Sequence, residues 1–277
     1  KNSFRSWLKS PRSTNHDLKD GIDAMFGSLI LLTQFFTRIP IPYEIKDATS
    51  KFKKSIQYLT LFGFLIGGLE AGFFWLMTLI FPSWFAWILF WVADGILTGG
   101  FHLDSLADTA DGLYSSRTVD RIKEIMKDSR IGTMGSLALL YFYAIVMGAG
   151  IVCSHYLAEW QFVSLVACTT MIAKTEMALL FYKMVYAGKT KGLGNLWTGV
   201  ATWRILVAQG ISILIIAGLL GLPGLGGYVA VVLGALWYRH YITHKLGGFT
   251  GDTIGAYGEL AQVAFLLVFT ALVRALG

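Results

Sequence analysis

Long apolar runs dominate the chain, and several approach the roughly 20 residues that a helix needs to cross a bilayer. They lie near 56–81, 84–101, 134–154, 160–182, 204–222, 226–242 and 258–275. Only 14% of the residues are charged, against about a quarter in a soluble domain. The mean hydropathy of +0.59 points the same way. Aromatic residues make up another 14%, as expected where Trp and Tyr belts sit at membrane interfaces. These features predict an all-α polytopic membrane protein with about seven transmembrane helices. They form a single integral domain over 21–277, preceded by a polar N-terminal tail over 1–20 that does not read as a cleavable signal.

Basic residues alternate between the connections. Lys46, Lys51, Lys53 and Lys54 precede the first run, and Arg117, Arg121, Lys123, Lys127 and Arg130 fill the loop 102–133. Lys183, Lys189, Lys191 and Arg204 mark 183–204, and Arg239 and Lys245 mark 239–257. The intervening turns at 82–83, around Glu159 and at "PGLGG" carry neither Lys nor Arg. Basic loops are retained in the cytoplasm, so this pattern predicts a multi-pass protein of the cell membrane with those loops inside. The net charge of +6 is thereby explained without a nucleic-acid partner. Residues 22–42 do not fit as a further crossing, because the preceding tail carries Lys1, Arg5, Lys9, Arg12 and Lys19. A re-entrant or interfacial helix ending at "RIPIP" is the expectation there, since Pro40 and Pro42 fix φ and remove donors. Cys153 and Cys168 lie in apolar segments without metal-ligand spacing and read as packing residues.

Against this background, "TGGFHLDSLADTADGL" (98–113) places Asp104, Asp108 and Asp111 at i, i+4 and i+7. On a helix these project within a sector of about 60°. Three adjacent carboxylates repel one another unless a cation neutralises them, and hard oxygen donors suit Mg²⁺, Ca²⁺ or Mn²⁺. A solvated helix end is the plain alternative. The next segment, "TVDRIKEIMKDSRIGTMGS", puts Lys123, Lys127 and Arg130 at the same 0, 4, 7 spacing. Asp120, Glu124 and Asp128 form a second stripe, and Ile122, Ile125 and Met126 a third. That pattern predicts an amphipathic cytoplasmic helix near 118–130. A cation site beside basic side chains is the usual apparatus of phosphoryl transfer. "KLGGFTGDTIGAYGEL" (245–260) adds Thr250, Asp252 and Thr253 among glycines that can offer backbone N–H groups to phosphate. His102 and Arg38 are further candidates for phosphate contacts, although a structural hydrogen bond and snorkelling are their ordinary roles. No GxSxG, HExxH, Walker-A or GxGxxG signature is present.

In order and spacing, "FFTRIPIP" (35–42), "TGGFHLDSLADTADGL" (98–113), "EIMKDSRIGTMGSLALL" (124–140), "GLGN" (192–195) and "GGFTGDTIGAYGEL" (247–260) resemble the cobalamin synthase family, also called adenosylcobinamide-GDP ribazoletransferases. Ser105 stands where that family usually has Gly, and Lys174 lies where it commonly has Arg. The resemblance implies a Mg²⁺-dependent membrane transferase in cobalamin biosynthesis. Its substrates are adenosylcobinamide-GDP and α-ribazole or its 5'-phosphate, and a ribose hydroxyl displaces GMP. On that reading Asp104, Asp108 and Asp111, joined by Asp128 and Asp252, are expected to hold one or two Mg²⁺, with Asp108 or Asp128 accepting the hydroxyl proton. Lys127, Arg130, Arg117, Arg38, His102 and Thr250 are then the expected substrate and phosphate contacts. Two other readings compete: a CDP-alcohol phosphotransferase, whose "DG…AR" signature is broken in "DGLYSSRTVD", and a cation transporter. The sequence leaves an oligomer open.

Overall fold

The computed structural model describes residues 14–45, 48–115, 118–188 and 198–276. Among these the chain is helical apart from its loops and one isolated bridge between Tyr186 and Phe249. The helices are α1 (Thr14–Phe36), α2 (Ala48–Ser55), α3 (Leu59–Thr78), α4 (Ser83–Thr98) and α5 (Phe101–Leu113). They continue with α6 (Val119–Ile125), α7 (Thr133–Tyr156), α8 (Glu159–Thr175), α9 (Thr202–Leu246) and α10 (Gly251–Leu276).

Five helical segments among the described residues are long and apolar enough to cross a membrane: Lys51–Thr78, Thr133–Tyr156, Glu159–Phe181, Thr202–Leu246 and Gly251–Leu276. α4 and α5 pass only as a pair bent by 89°, which makes six at most. The expected count of seven is not confirmed by this criterion. Part of the difference lies in α9, whose 45 residues are treated as one segment. A straight helix of that length would run about 68 Å, more than twice the hydrocarbon core of about 30 Å. Gly221 (φ 57°, ψ −146°) breaks it, and Pro223 follows where its fixed φ suits a helix start. Tyr228 Oη donates to Gln209 Oε1 at 2.7 Å across 19 residues of sequence. That contact requires the arms 202–220 and 222–246 to fold back on one another.

α8 forms the centre of the bundle, with every residue over 165–175 buried. α3 lies against it so closely that Gly63 and Gly67 abut the backbones of Met171 and Ala167, the small-residue packing typical of membrane helices. The outward faces carry bare apolar side chains, among them Leu69, Ile96, Leu214 and Leu222, the last two 74% exposed. So much exposed apolar surface on successive helices needs a lipid or protein partner. The apolar part of α1, Gly21–Phe36, is only 16 residues, or about 24 Å. α1 itself begins at Thr14, inside the polar N-terminal stretch.

The amphipathic helix expected over 118–130 is shorter than its periodicity implies. α6 ends at Ile125. Asp128 then captures the backbone N–H of Arg130 (3.1 Å), an Asx-type turn that competes with helix continuation. Lys123, Lys127 and Arg130 therefore do not share one helical face.

Candidate functional site

The site is built on α5. Gly99 and Gly100 both adopt left-handed backbone (φ 68° and 67°), ending α4 and sending α5 off at 89°. A Cβ at Gly99 would collide with Arg38 Nε, and the Arg38 backbone N–H donates to Leu97 O at 2.7 Å. The turn thus seats Arg38 beside the start of α5. Because α5 leaves the direction of the crossing helix, Phe101, Asp104, Asp108 and Asp111 form its outer stripe. His102, Ser105, Leu106, Thr109 and Leu113 face the bundle. The i, i+4, i+7 reading of the three aspartates therefore holds in the backbone.

The three do not share one environment. Asp104 is exposed, while Asp108 and Asp111 are half-buried. Burial, followed by repulsion from Asp104, Asp252 and Asp111, pushes the Asp108 carboxyl up to about 7. Asp111 is engaged elsewhere: its Oδ2 accepts from Gly132 N (2.7 Å) and its Oδ1 from Gly135 N (2.8 Å). It therefore caps the N-terminus of α7 in place of a local residue, with its charge against the positive end of the helix dipole. Gly132 and Gly135 leave room for that carboxylate. Asp252 enters from the first turn of α10, half-buried. Thr250 and Thr253 form a reciprocal cap beneath it: Thr253 N donates to Thr250 Oγ1 (3.2 Å) and Thr250 N to Thr253 Oγ1 (2.8 Å). The Thr250 hydroxyl, expected to meet phosphate, accepts at the helix start and lines the larger cavity, and its own proton can still be donated to a phosphate oxygen.

Two cavities meet at this patch. The smaller, about 630 Å³, is lined by Gln34, Arg38, Asp104 and Asp108. The larger, about 720 Å³, is lined by Lys123, Lys127, Asp252 and a cluster of aromatic side chains. Phe35 and Phe101, edge to face at 5.6 Å, line both and form the partition.

Several expected site residues lie elsewhere. Asp128 and Arg130 form an exposed pair (Nη2–Oδ2 2.6 Å, Nε–Oδ1 3.0 Å), and this guanidinium holds the Asp128 carboxyl down at about 2. Neither lines either cavity. A carboxylate so stabilised as its anion is a poor proton acceptor, which argues against Asp128 as the base. Arg117 and the "GLGN" turn lie outside the described residues. His102 is buried beneath the acidic face, where Lys174 Nζ donates to its Nδ1 at 3.1 Å and Glu259 Oε1 lies 3.7 Å away. Since an ammonium only donates, Nδ1 accepts and the proton of this imidazole sits on Nε2, which has no partner among the described residues.

That contact opens onto a group of residues to which the sequence argument gave no role. Lys174 on α8 lies among Glu70 (α3), Asp94 (α4), His102 (α5) and Glu259 (α10), all buried. Thr170 Oγ1 donates to Glu70 Oε2. The signal was present as single charges inside apolar runs, at "GGLEAG", "WVADGI", "IAKTEM" and "YGELAQ". Their convergence across five helices was not visible in a linear reading.

Among the described residues, no three carboxylate, imidazole or thiol groups converge into a ready-made metal cage. Asp104 and Asp252 nonetheless fit Mg²⁺, which takes one or two carboxylates and completes its shell with water and substrate phosphate.

A bundle of apolar helices with an acid-lined, cation-flanked cleft defines a multi-pass membrane protein. The chain belongs to the cobalamin-5-phosphate synthase family, whose sequence profile matches residues 28–270. Its relatives include proteins named adenosylcobinamide-GDP ribazoletransferase. The one from Listeria welshimeri is 42% identical over 86% of this chain and 95% of its own length. The one from Clostridium novyi is 39% identical over 87% and 95%, and that of Klebsiella pneumoniae 36% over 88% and 99%. No solved structure gives a significant match. Neither the CDP-alcohol phosphotransferase reading nor the transporter reading is favoured by these relatives.

Proposed function

We propose that this protein joins adenosylcobinamide-GDP to α-ribazole or its 5'-phosphate, giving adenosylcobalamin or its 5'-phosphate and GMP. The observation that carries this reading beyond the family is a pair of cavities adjoining across Phe35 and Phe101, one holding Asp104, Asp108 and Arg38 and the other Asp252, Lys123 and Lys127. A bisubstrate phosphoryl transfer needs that arrangement, because the acceptor hydroxyl and the donor phosphorus must approach in line between charge-neutralising groups.

In the reaction a ribose hydroxyl oxygen bonds to the phosphorus next to cobinamide, and the bridging P–O bond to GMP breaks. The hydroxyl proton passes to Asp108. That carboxylate, poised near neutrality, is better matched to this task than an ordinary aspartate. Arg38 neutralises pyrophosphate oxygens, and Asp104 and Asp252 complete the acidic patch. Mg²⁺, held by Asp104 and Asp252, would supply charge neutralisation for the pyrophosphate and the leaving GMP. Asp111, saturated by backbone N–H groups, holds α5 and α7 in register instead. We place the site on the cytoplasmic side of the cell membrane, a reading supported by Lys123, Lys127 and Lys245 in the flanking segments.

The test is GMP release from adenosylcobinamide-GDP by the purified protein in detergent. It is run with and without α-ribazole 5'-phosphate, in Mg²⁺ and in EDTA. Release that requires both the acceptor and Mg²⁺ is expected. No release under any of these conditions overturns the assignment.

A further inference from the structure

The two cavities differ in chemistry more than in size. The larger is walled by Phe36, Phe101, Phe181 and Tyr186, with Lys123 and Lys127 at its edge. The smaller has one cation, Arg38, and the acidic stripe of α5. Resting on the function proposed above, we infer that the larger cavity is the acceptor subsite. The aromatic base of α-ribazole enters between the rings, its 5'-phosphate lies on Lys123 and Lys127, and the smaller cavity takes only the pyrophosphate end of the donor.

Size permits this assignment. About 720 Å³ falls in the range of roughly 300–1,000 Å³ that drug-sized ligands occupy. A nucleoside phosphate fits such a space, and a corrin macrocycle carrying a nucleotide does not. The wall chemistry is specific as well. Ribazole carries a dimethylated benzimidazole, an apolar bicyclic ring with one free ring nitrogen. Flat apolar rings gain most from faces such as those of Phe and Tyr, at about 1–3 kcal/mol per stacked base.

The electrostatics also divide the two spaces. Asp120, Glu124 and Asp252 line the larger cavity with Lys123 and Lys127, and Lys127 acts on Asp252. Neither lysine makes an ion pair among the described residues, whereas Arg121 and Arg130 on the same stretch are both paired. The two spaces adjoin across Phe35 and Phe101, with Asp252 on one side and Asp104 and Asp108 on the other. A nucleoside with its base among the rings and its phosphate on the lysines leaves its remaining ribose hydroxyls for that junction. The tyrosine wall is fixed by the Tyr186–Phe249 bridge, in which Phe249 N donates to Val185 O (3.0 Å) and Ala187 N to Phe249 O (2.8 Å).

The experiment measures KM separately for α-ribazole 5'-phosphate, unphosphorylated α-ribazole and adenosylcobinamide-GDP. The readout is GMP release by the full chain in detergent, and the variants are K123Q/K127Q and Tyr186→Ala. For K123Q/K127Q, the KM of the phosphate relative to that of the nucleoside is expected to rise roughly tenfold or more, from the loss of charge-assisted contacts. Tyr186→Ala should raise both acceptor KM values together, by roughly fivefold or more, and spare the donor KM. The inference is overturned if the lysine variant raises the donor KM instead, or moves phosphate and nucleoside equally. A wild type that releases no GMP defeats the underlying function; active wild type with either of those patterns defeats only the subsite assignment.

Discussion

Replacing Asp111 separates two roles that share one helical stripe. Its carboxylate accepts two backbone N–H groups at the start of α7, at 2.7 and 2.8 Å, from a half-buried position. Losing an N-cap acceptor costs about 0.5–2 kcal/mol, and losing a carboxylate from a helix N-terminus about 0.3–1 kcal/mol. Asp111→Ala removes both and leaves two donors facing an apolar methyl, so a loss of about 2 kcal/mol is expected. Asp111→Asn keeps one acceptor oxygen and should lose about half of that. At roughly 2–4 °C per kcal/mol for chains approaching this size, Tm falls by about 4–8 °C for Ala and 2–4 °C for Asn. Cys153 and Cys168 are both buried and free, so a thiol-reactive dye in detergent reports the transition directly. The Mg²⁺ concentration for half-maximal GMP release should move far less in Asp111→Asn than in Asp104→Asn or Asp252→Asn. If Asp111→Asn instead unfolds at the wild-type temperature and raises the Mg²⁺ requirement as much as the other two, the capping argument is wrong.

Asp108 must be deprotonated to accept a proton, so kcat/KM at low Mg²⁺ should rise with pH to a plateau above about 7, and saturating Mg²⁺ should move that inflection to lower pH. The stability consequence has the sign opposite to that of an ordinary salt-bridged aspartate. The folded carboxyl holds its proton more tightly than the unfolded one, so cation-free protein loses stability as pH rises from about 4 to 7, and Asp108→Asn removes that slope in a Tm-versus-pH series. Lys174→Met leaves Glu70, Asp94 and Glu259 buried without their cation; the cost is about 3–5 kcal/mol and shows as aggregation on size exclusion, whereas Lys174→Arg keeps the charge and yields monodisperse protein. Arg130→Gln, which breaks only the exposed pair with Asp128, should leave GMP release within twofold of wild type.

What the sequence made legible follows from how local each determinant is. The aspartate spacing on α5 needs only the period of one helix, and the break between 204–222 and 226–242 is marked by Gly221 and Pro223 within three residues. The helix over 118–130 was misjudged because hydrophobic periodicity persists past Ile125, while one short side chain, Asp128, diverts the backbone. Thr250 is a comparable case: a hydroxyl in a glycine-rich turn fits a phosphate contact or a helix cap, and the cap becomes visible only with Thr253 facing it. The buried group around Lys174 depends on side chains brought from five helices, so each charge was visible and their meeting was not. The same holds for the aromatic cavity, whose walls come from positions as distant as Phe36 and Tyr186.

The placement of His102 only two residues before Asp104 has a geometric consequence. His102 keys one side of α5 to Lys174 and Glu259 in the interior, while Asp104 and Asp108 look outward. The azimuth of the acidic stripe is therefore set from the buried interior at one end of α5, as the Asp111 cap on α7 sets it at the other. A single residue inserted between 102 and 104 would leave the interior anchor in place and swing every following carboxylate by about 100°. The aqueous chemistry of this protein is aimed by a lock that water does not reach, and this gives a surface reaction a reason to be housed in a membrane-embedded chain.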